Sequence, residues 1–210
     1  MAGLLCGGVL WGGANAAPVT FDIVGGGYIV GTGYGCADDT SLLCVDFSYL
    51  LGDPASFVLS SGGSTTRSFG SVQLNEADGP GSSTMIDSGE LDNLGVTAFL
   101  NFVNPFSGQA QSVVVAGAVS GPLTDSGVDY TITFAPVTMA FGNGGSFTVD
   151  FQSLSFAPNS VTLPQTVTIT LTDEPADTRA SDATVPEPAT LALLGLGIAG
   201  IGFTRRRKNN

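Results

Sequence analysis

Apolar and polar residues alternate with a period of two along much of the chain. Val128, Tyr130, Ile132 and Phe134 fall on one parity, and Asp129, Thr131 and Thr133 on the other. Phe147, Val149 and Phe151 alternate with Ser146, Thr148 and Asp150, and Val167, Ile169 and Leu171 with Thr166, Thr168, Thr170 and Thr172. Such runs predict strands with one buried and one wet face, the pattern of antiparallel sheets. Residues 113–119 are apolar on both parities and predict a central strand. Further strands are predicted over 96–102, 42–51 and 56–60. Gly142-Asn143-Gly144-Gly145, between the runs at 137–141 and 146–151, supplies the positive φ angles of a tight hairpin. Asp78-Gly79-Pro80-Gly81, Ser120-Gly121-Pro122 and Ala157-Pro158-Asn159 are further breaks. No amphipathic helix precedes residue 189, and no fixed-period repeat is visible. The glycines at 25–27, and Gly31, Gly33 and Gly35, do not open a helix in a βαβ unit and read as turn glycines. Residues 17–172 are therefore expected to form an all-β domain, an antiparallel β-sandwich or jelly roll of roughly 8 to 12 strands.

The two ends depart from this pattern. An apolar stretch from Leu4 to Trp11 is followed by small residues at Ala14 and Ala16. Residues 1–16 thus read as a signal peptide cut after Ala16 by signal peptidase. No Lys or Arg precedes the apolar stretch, so a basic start is expected upstream of Met1. At the other end, residues 173–184 are polar and Pro-containing and predict a linker. Val185-Pro186-Glu187-Pro188 follows, and its prolines stop any strand. Ala189 to Phe203 carries no charge. As a helix it would reach roughly 22 Å, against a hydrocarbon core of ~30 Å. A span of that length needs local bilayer thinning. Arg205, Arg206, Arg207 and Lys208 come directly after it. Basic residues so placed hold a C-terminus on the cytoplasmic side. A C-terminal hydrophobic helix over 189–203 that engages the membrane is expected.

In this order, the Pro-Glu-Pro motif, the apolar helix and the basic end of residues 185–210 resemble the PEP-CTERM protein-sorting tail of Gram-negative bacteria. The resemblance implies export through the Sec machinery, transient inner-membrane anchoring and processing by an exosortase near Pro186, Glu187 and Pro188. Those three residues would be recognised by the exosortase and would do no chemistry themselves. It further implies delivery to the cell surface or extracellular matrix and a link with exopolysaccharide and biofilm.

Charge limits the possible partners of the body. The chain has a formal net charge of −12, but the basic end hides how acidic the rest is. Between Ala17 and Pro188 only Arg67 and Arg179 stand against all 18 acids, a net of −16. Such a surface repels nucleic acid and anionic membranes, so no nucleic-acid partner is expected.

Candidate chemistry is sparse. With Cys6 in the signal peptide, Cys36 and Cys44 remain, and two cysteines in an exported domain are expected to pair. Two thiols and no His are too few ligands for zinc. The missing His also removes the Ser-His-Asp and Cys-His nucleophile arrangements. Asp38-Asp39 and the 87–93 cluster offer oxygen ligands, but the latter lacks the order of an EF-hand loop. No cofactor is expected, with calcium the one ion the loops could suit. The favoured reading is a non-enzymatic exported protein. One alternative is a carbohydrate-binding module, calcium-assisted, with Tyr28, Tyr34, Tyr49 and Tyr130 as its available tyrosines. A distant alternative is a glycoside hydrolase using two carboxylates.

Overall fold

The structure is a computed structural model and describes residues 17–36, 42–51, 55–76, 84–124, 126–157 and 161–176. Ala14, Ala16, Asp38, Asp39, the Pro-Glu-Pro motif, the 189–203 helix and the basic end lie outside the described residues.

The described residues form fourteen strands and one 3-10 turn at Ser88–Glu90. The strands are β1 (Val19–Val30), β2 (Val45–Tyr49), β3 (Ala55–Leu59), β4 (Ser64–Leu74), β5 (Met85–Ile86), β6 (Gly95–Asn104) and β7 (Gly108–Val115). They continue as β8 (Gly117–Ala118), β9 (Gly121–Pro122), β10 (Tyr130–Ile132), β11 (Val137–Phe141), β12 (Gly145–Phe151), β13 (Leu154–Phe156) and β14 (Val161–Asp173). The named strands pair antiparallel throughout. A four-stranded sheet runs β3-β1-β6-β7 and a five-stranded sheet β11-β12-β14-β4-β2, with small sheets β13-β10-β8 and β5-β9 beside them.

Ring contacts between the two large sheets show that they face each other. Phe147 on β12 meets Phe21 on β1 and Phe102 on β6, each at 5.2 Å between centroids. Phe69 on β4 meets Tyr28 on β1 at 5.0 Å across the layers, and Phe151 on β12 of its own sheet at 4.9 Å. The core between the layers comes from alternate residues, as the period-two runs require. Phe147, Val149 and Phe151 are buried, as are Val167, Ile169 and Leu171.

Several expectations need correction. The glycines at 25–27 lie inside β1 and form no turn. A bulge between Ile23 and Gly25 switches the parity of that strand. Phe21 and Ile23 point inward before the bulge, and Gly26 and Tyr28 after it. Gly26 is the close-approach position: a Cβ there would stand 2.7 Å from the Phe99 carbonyl oxygen and 2.8 Å from the Tyr49 ring. The 113–119 run is no central strand. It divides between β7, at the edge of its sheet, and β8. Val113 and Val115 are 68% and 77% exposed. Of 128–134, only Tyr130–Ile132 is strand, and Asp129, expected on the wet face, is buried while Val128 is exposed. The expected linker also starts too early. Asp173 completes β14, Glu174 accepts a hydrogen bond from the Ser61 amide at 2.7 Å, and the Ala176 amide donates to the Asn143 carbonyl at 2.8 Å.

The register gives the sandwich two distinct ends. Val19 pairs with Leu59, and Thr170 pairs with Ser64, so β1 begins and β14 ends near the Ser60–Gly63 turn. The Gly142–Gly145 hairpin lies there too, where Ser146 pairs with Asp173. Val30 with Val96, and Leu74 with Val45 and Val161, mark the opposite end. At ~3.3 Å per residue, β14 separates the two by about 40 Å.

Candidate functional site

The end far from the chain's exit holds most of the polar side chains that the fold buries. Cys36 and Cys44 form the expected disulfide, with Cα atoms 4.4 Å apart. It closes a short loop onto the start of β2. The Cys44 amide donates to the Glu76 carboxylate, and the Cys44 carbonyl accepts from the Asn75 amide at 2.9 Å. Gly33 is required here, because a Cβ would stand 2.0 Å from the Asp92 carbonyl oxygen. Gly33 lies in the turn expected of it, and the close approach is a second reason for glycine there. Beside it, the Tyr34 hydroxyl lies 2.9 Å from that of Tyr130, and its bond to the Leu94 carbonyl is 3.3 Å long.

This network is built for holding loops. Burial pushes the Tyr34 hydroxyl up to about 12, against a smaller lowering by its bond with Tyr130. Burial raises Tyr130 further, with Tyr34 adding to the effect. Both phenols stay protonated and hydrogen-bonded at neutral pH, a state unsuited to proton transfer there. Both cysteines are oxidised. In the 87–93 cluster, Glu90 turns inward, and its carboxylate accepts the Asp87 amide at 2.7 Å across the 3-10 turn. A carboxylate used in that way is a cap, as in a capping box. Among the described residues, no group of three or more His, Cys, Asp or Glu is placed to hold a metal ion.

The tyrosines offered by the sequence as a sugar platform are core residues. Tyr28 packs on Phe47 and Phe69, Tyr34 on Phe47, Tyr49 on Phe69, and Tyr130 on Phe156. Tyr28 also donates to Gln165 across the two sheets. The aromatic on an outer face that sequence reading missed is Phe99 on β6, which is half-buried. It points away from the core, and only the opposite parity of buried Val96, Ala98, Leu100 and Phe102 could have revealed it.

The two outer faces differ in kind. That of β11-β12-β14-β4-β2 presents hydroxyls, with Thr138, Thr148, Thr170 and Ser64 in one row across four strands, and the acids Asp46 and Asp150. The face of β3-β1-β6-β7 is uncharged above Asp22. The Asp22 carboxyl is itself held below the usual carboxylate range by hydrogen bonds from Ser56 and Asn104.

Residues 184–208 match the PEP-CTERM protein-sorting motif, so the tail of this chain carries the sorting signal its sequence suggested. The motif is that of exported proteins handled by exosortases in Gram-negative bacteria. Comparison with curated proteins and with solved structures gives no match.

Proposed function

We propose that this chain is a non-enzymatic protein of the cell surface or extracellular matrix, delivered there by its tail and associated with exopolysaccharide in biofilm. The observation that carries the reading is the sorting motif at 184–208. In this reading the signal peptide is cut after Ala16, and the 189–203 helix holds the precursor in the inner membrane. Arg205, Arg206, Arg207 and Lys208 stay on the cytoplasmic side, and an exosortase processes the chain near Pro186, Glu187 and Pro188. The domain's architecture supports such delivery. Ala17 and Ala176 both leave it at one end, and the disulfide suits an oxidising compartment. The non-enzymatic part rests on chemistry: the chain has no His, its two domain cysteines are paired, and its tyrosines are packed in the core.

Deletion of residues 185–210 in the native host tests the sorting. The truncated protein should lose surface retention and appear in the periplasm or medium. Unchanged retention at the surface would overturn the proposal.

A further inference from the structure

We propose that the outer face of β3-β1-β6-β7 is a binding site for an uncharged polysaccharide chain, centred on Phe99. The inference concerns what the domain holds, and it stands whether or not the tail sorts as described.

The strand register builds the site in three rows. Gly25, Asn101 and Gln109 lie side by side, then Gly27, Phe99 and Gln111, then Ile29, Thr97 and Val113. The parity switch at the β1 bulge places Gly25 and Gly27 on this face. Without side chains, they leave a shallow strip beside β6. The Phe99 ring occupies it: a Cβ on Gly27 would stand 3.4 Å from the Phe99 ring tip. Phe99 is thus laid over the neighbouring strand. It is not among the rings packed against the core, and it stacks on no other aromatic among the described residues. A phenyl face so presented suits the C–H face of a sugar ring.

Amides supply the polar half of the recognition. Gln111 is exposed next to the ring, and Gln109 donates to the Asn101 side-chain oxygen at 3.0 Å. That bond fixes two amides in place while leaving each with further donors or acceptors for sugar hydroxyls. An ordered polar group costs less to engage than a mobile one. The rows span about 13 Å along the strands, enough for a stretch of chain.

Charge selects the kind of glycan. The described residues include ten acids and the single base Arg67, so an anionic polymer is repelled by the domain as a whole. Gly25–Ile29, Gly95–Asn101 and Gln109–Val115 contribute no ionic group to this face. A neutral chain can approach it without desolvating a charge.

The test is native affinity electrophoresis of the detergent-solubilised full-length chain. Gels would contain hydroxyethylcellulose, galactomannan or dextran as neutral polymers, and alginate as the anionic one. Retardation is expected in at least one neutral gel and not in alginate. Phe99→Ala should weaken it about tenfold. Gln111→Ala, at an exposed position, should weaken it about threefold to fivefold. Thermal melts would verify that both variants fold. The proposal fails if no neutral gel retards the chain, if alginate alone does, or if both variants run as wild type. It also fails if sedimentation shows a dimer that Val113→Lys dissolves, since a second copy would then occupy the face.

Discussion

Tyr28→Phe removes one oxygen atom and tests how the two layers are joined. The Tyr28 hydroxyl on β1 donates to Gln165 Oε1 on β14, crossing the sandwich. Gln165 is fully buried, and its Nε2 donates to the Gln152 carbonyl at 2.6 Å. The substitution leaves the ring on Phe47 and Phe69, so little packing is lost. It does leave a buried amide oxygen without its donor, and water does not reach it. Stranding such a group costs about 1–3 kcal/mol. Gln165→Leu strands both the Tyr28 hydroxyl and the Gln152 carbonyl, so it should cost more, about 2–4 kcal/mol. The double variant should be less destabilised than the sum of the two, by about 1–2 kcal/mol, because neither group then strands the other. Urea unfolding at 25 °C would read these values as midpoint shifts at constant slope. A Tyr28→Phe loss below about 0.5 kcal/mol, or strictly additive single variants, would refute a stabilising role for the bond.

Three further outcomes follow from the same geometry. Gly26→Ala should destabilise by about 1–3 kcal/mol through overpacking, whereas Gly25→Ala, whose nearest atom would be 3.6 Å away, should be nearly neutral in the same melts. Replacing Cys36 and Cys44 together by Ser should cost about 2.5 kcal/mol in the chain-entropy model, and reducing agent should then leave the melting temperature unchanged. Because burial raises Tyr28, Tyr34 and Tyr130, the folded chain keeps these protons when the unfolded chain releases them. Their contribution is complete below about pH 10 and is lost as pH rises toward the folded values. Urea midpoints measured from pH 9 to 11.5 should fall, less steeply in Tyr130→Phe, and a flat profile in the parent chain would contradict the assignment.

The strands that the sequence displayed are those whose two faces differ. β12 and β14 alternate cleanly, because a Thr-rich wet face opposes a Val, Ile and Phe core face. The longest first-layer strand, β1, was hidden for a physical reason. Its bulge changes parity midway, and three consecutive glycines imitate a turn. β4 was hidden similarly, since a register shift opposite Gln165 and Thr166 buries Phe69 and Gly70 in succession. Burial on both sides was misread at 113–119 because valine is equally at home on an exposed sheet edge, and nothing local distinguishes the two. The sorting motif needed no fold to be seen, since its signal lies in one contiguous run of residues, 184–208. Phe99 needed the fold, because its importance lies in Gly27 and Gln111, which reach it from other strands.

One consequence of the topology is mechanical. A pull on the chain beyond Ala176 enters through β14, which is not an edge strand. Thirteen residues long, it is bonded to β12 on one side and to β4 on the other. Tension along its axis therefore loads two ladders in shear, and many bonds must break together instead of unzipping one at a time. Resistance of that kind is set by the unfolding rate under load, not by the equilibrium stability. A domain held by its end, with a polymer on its outer face, would transmit drag to its attachment through the strand best placed to withstand it.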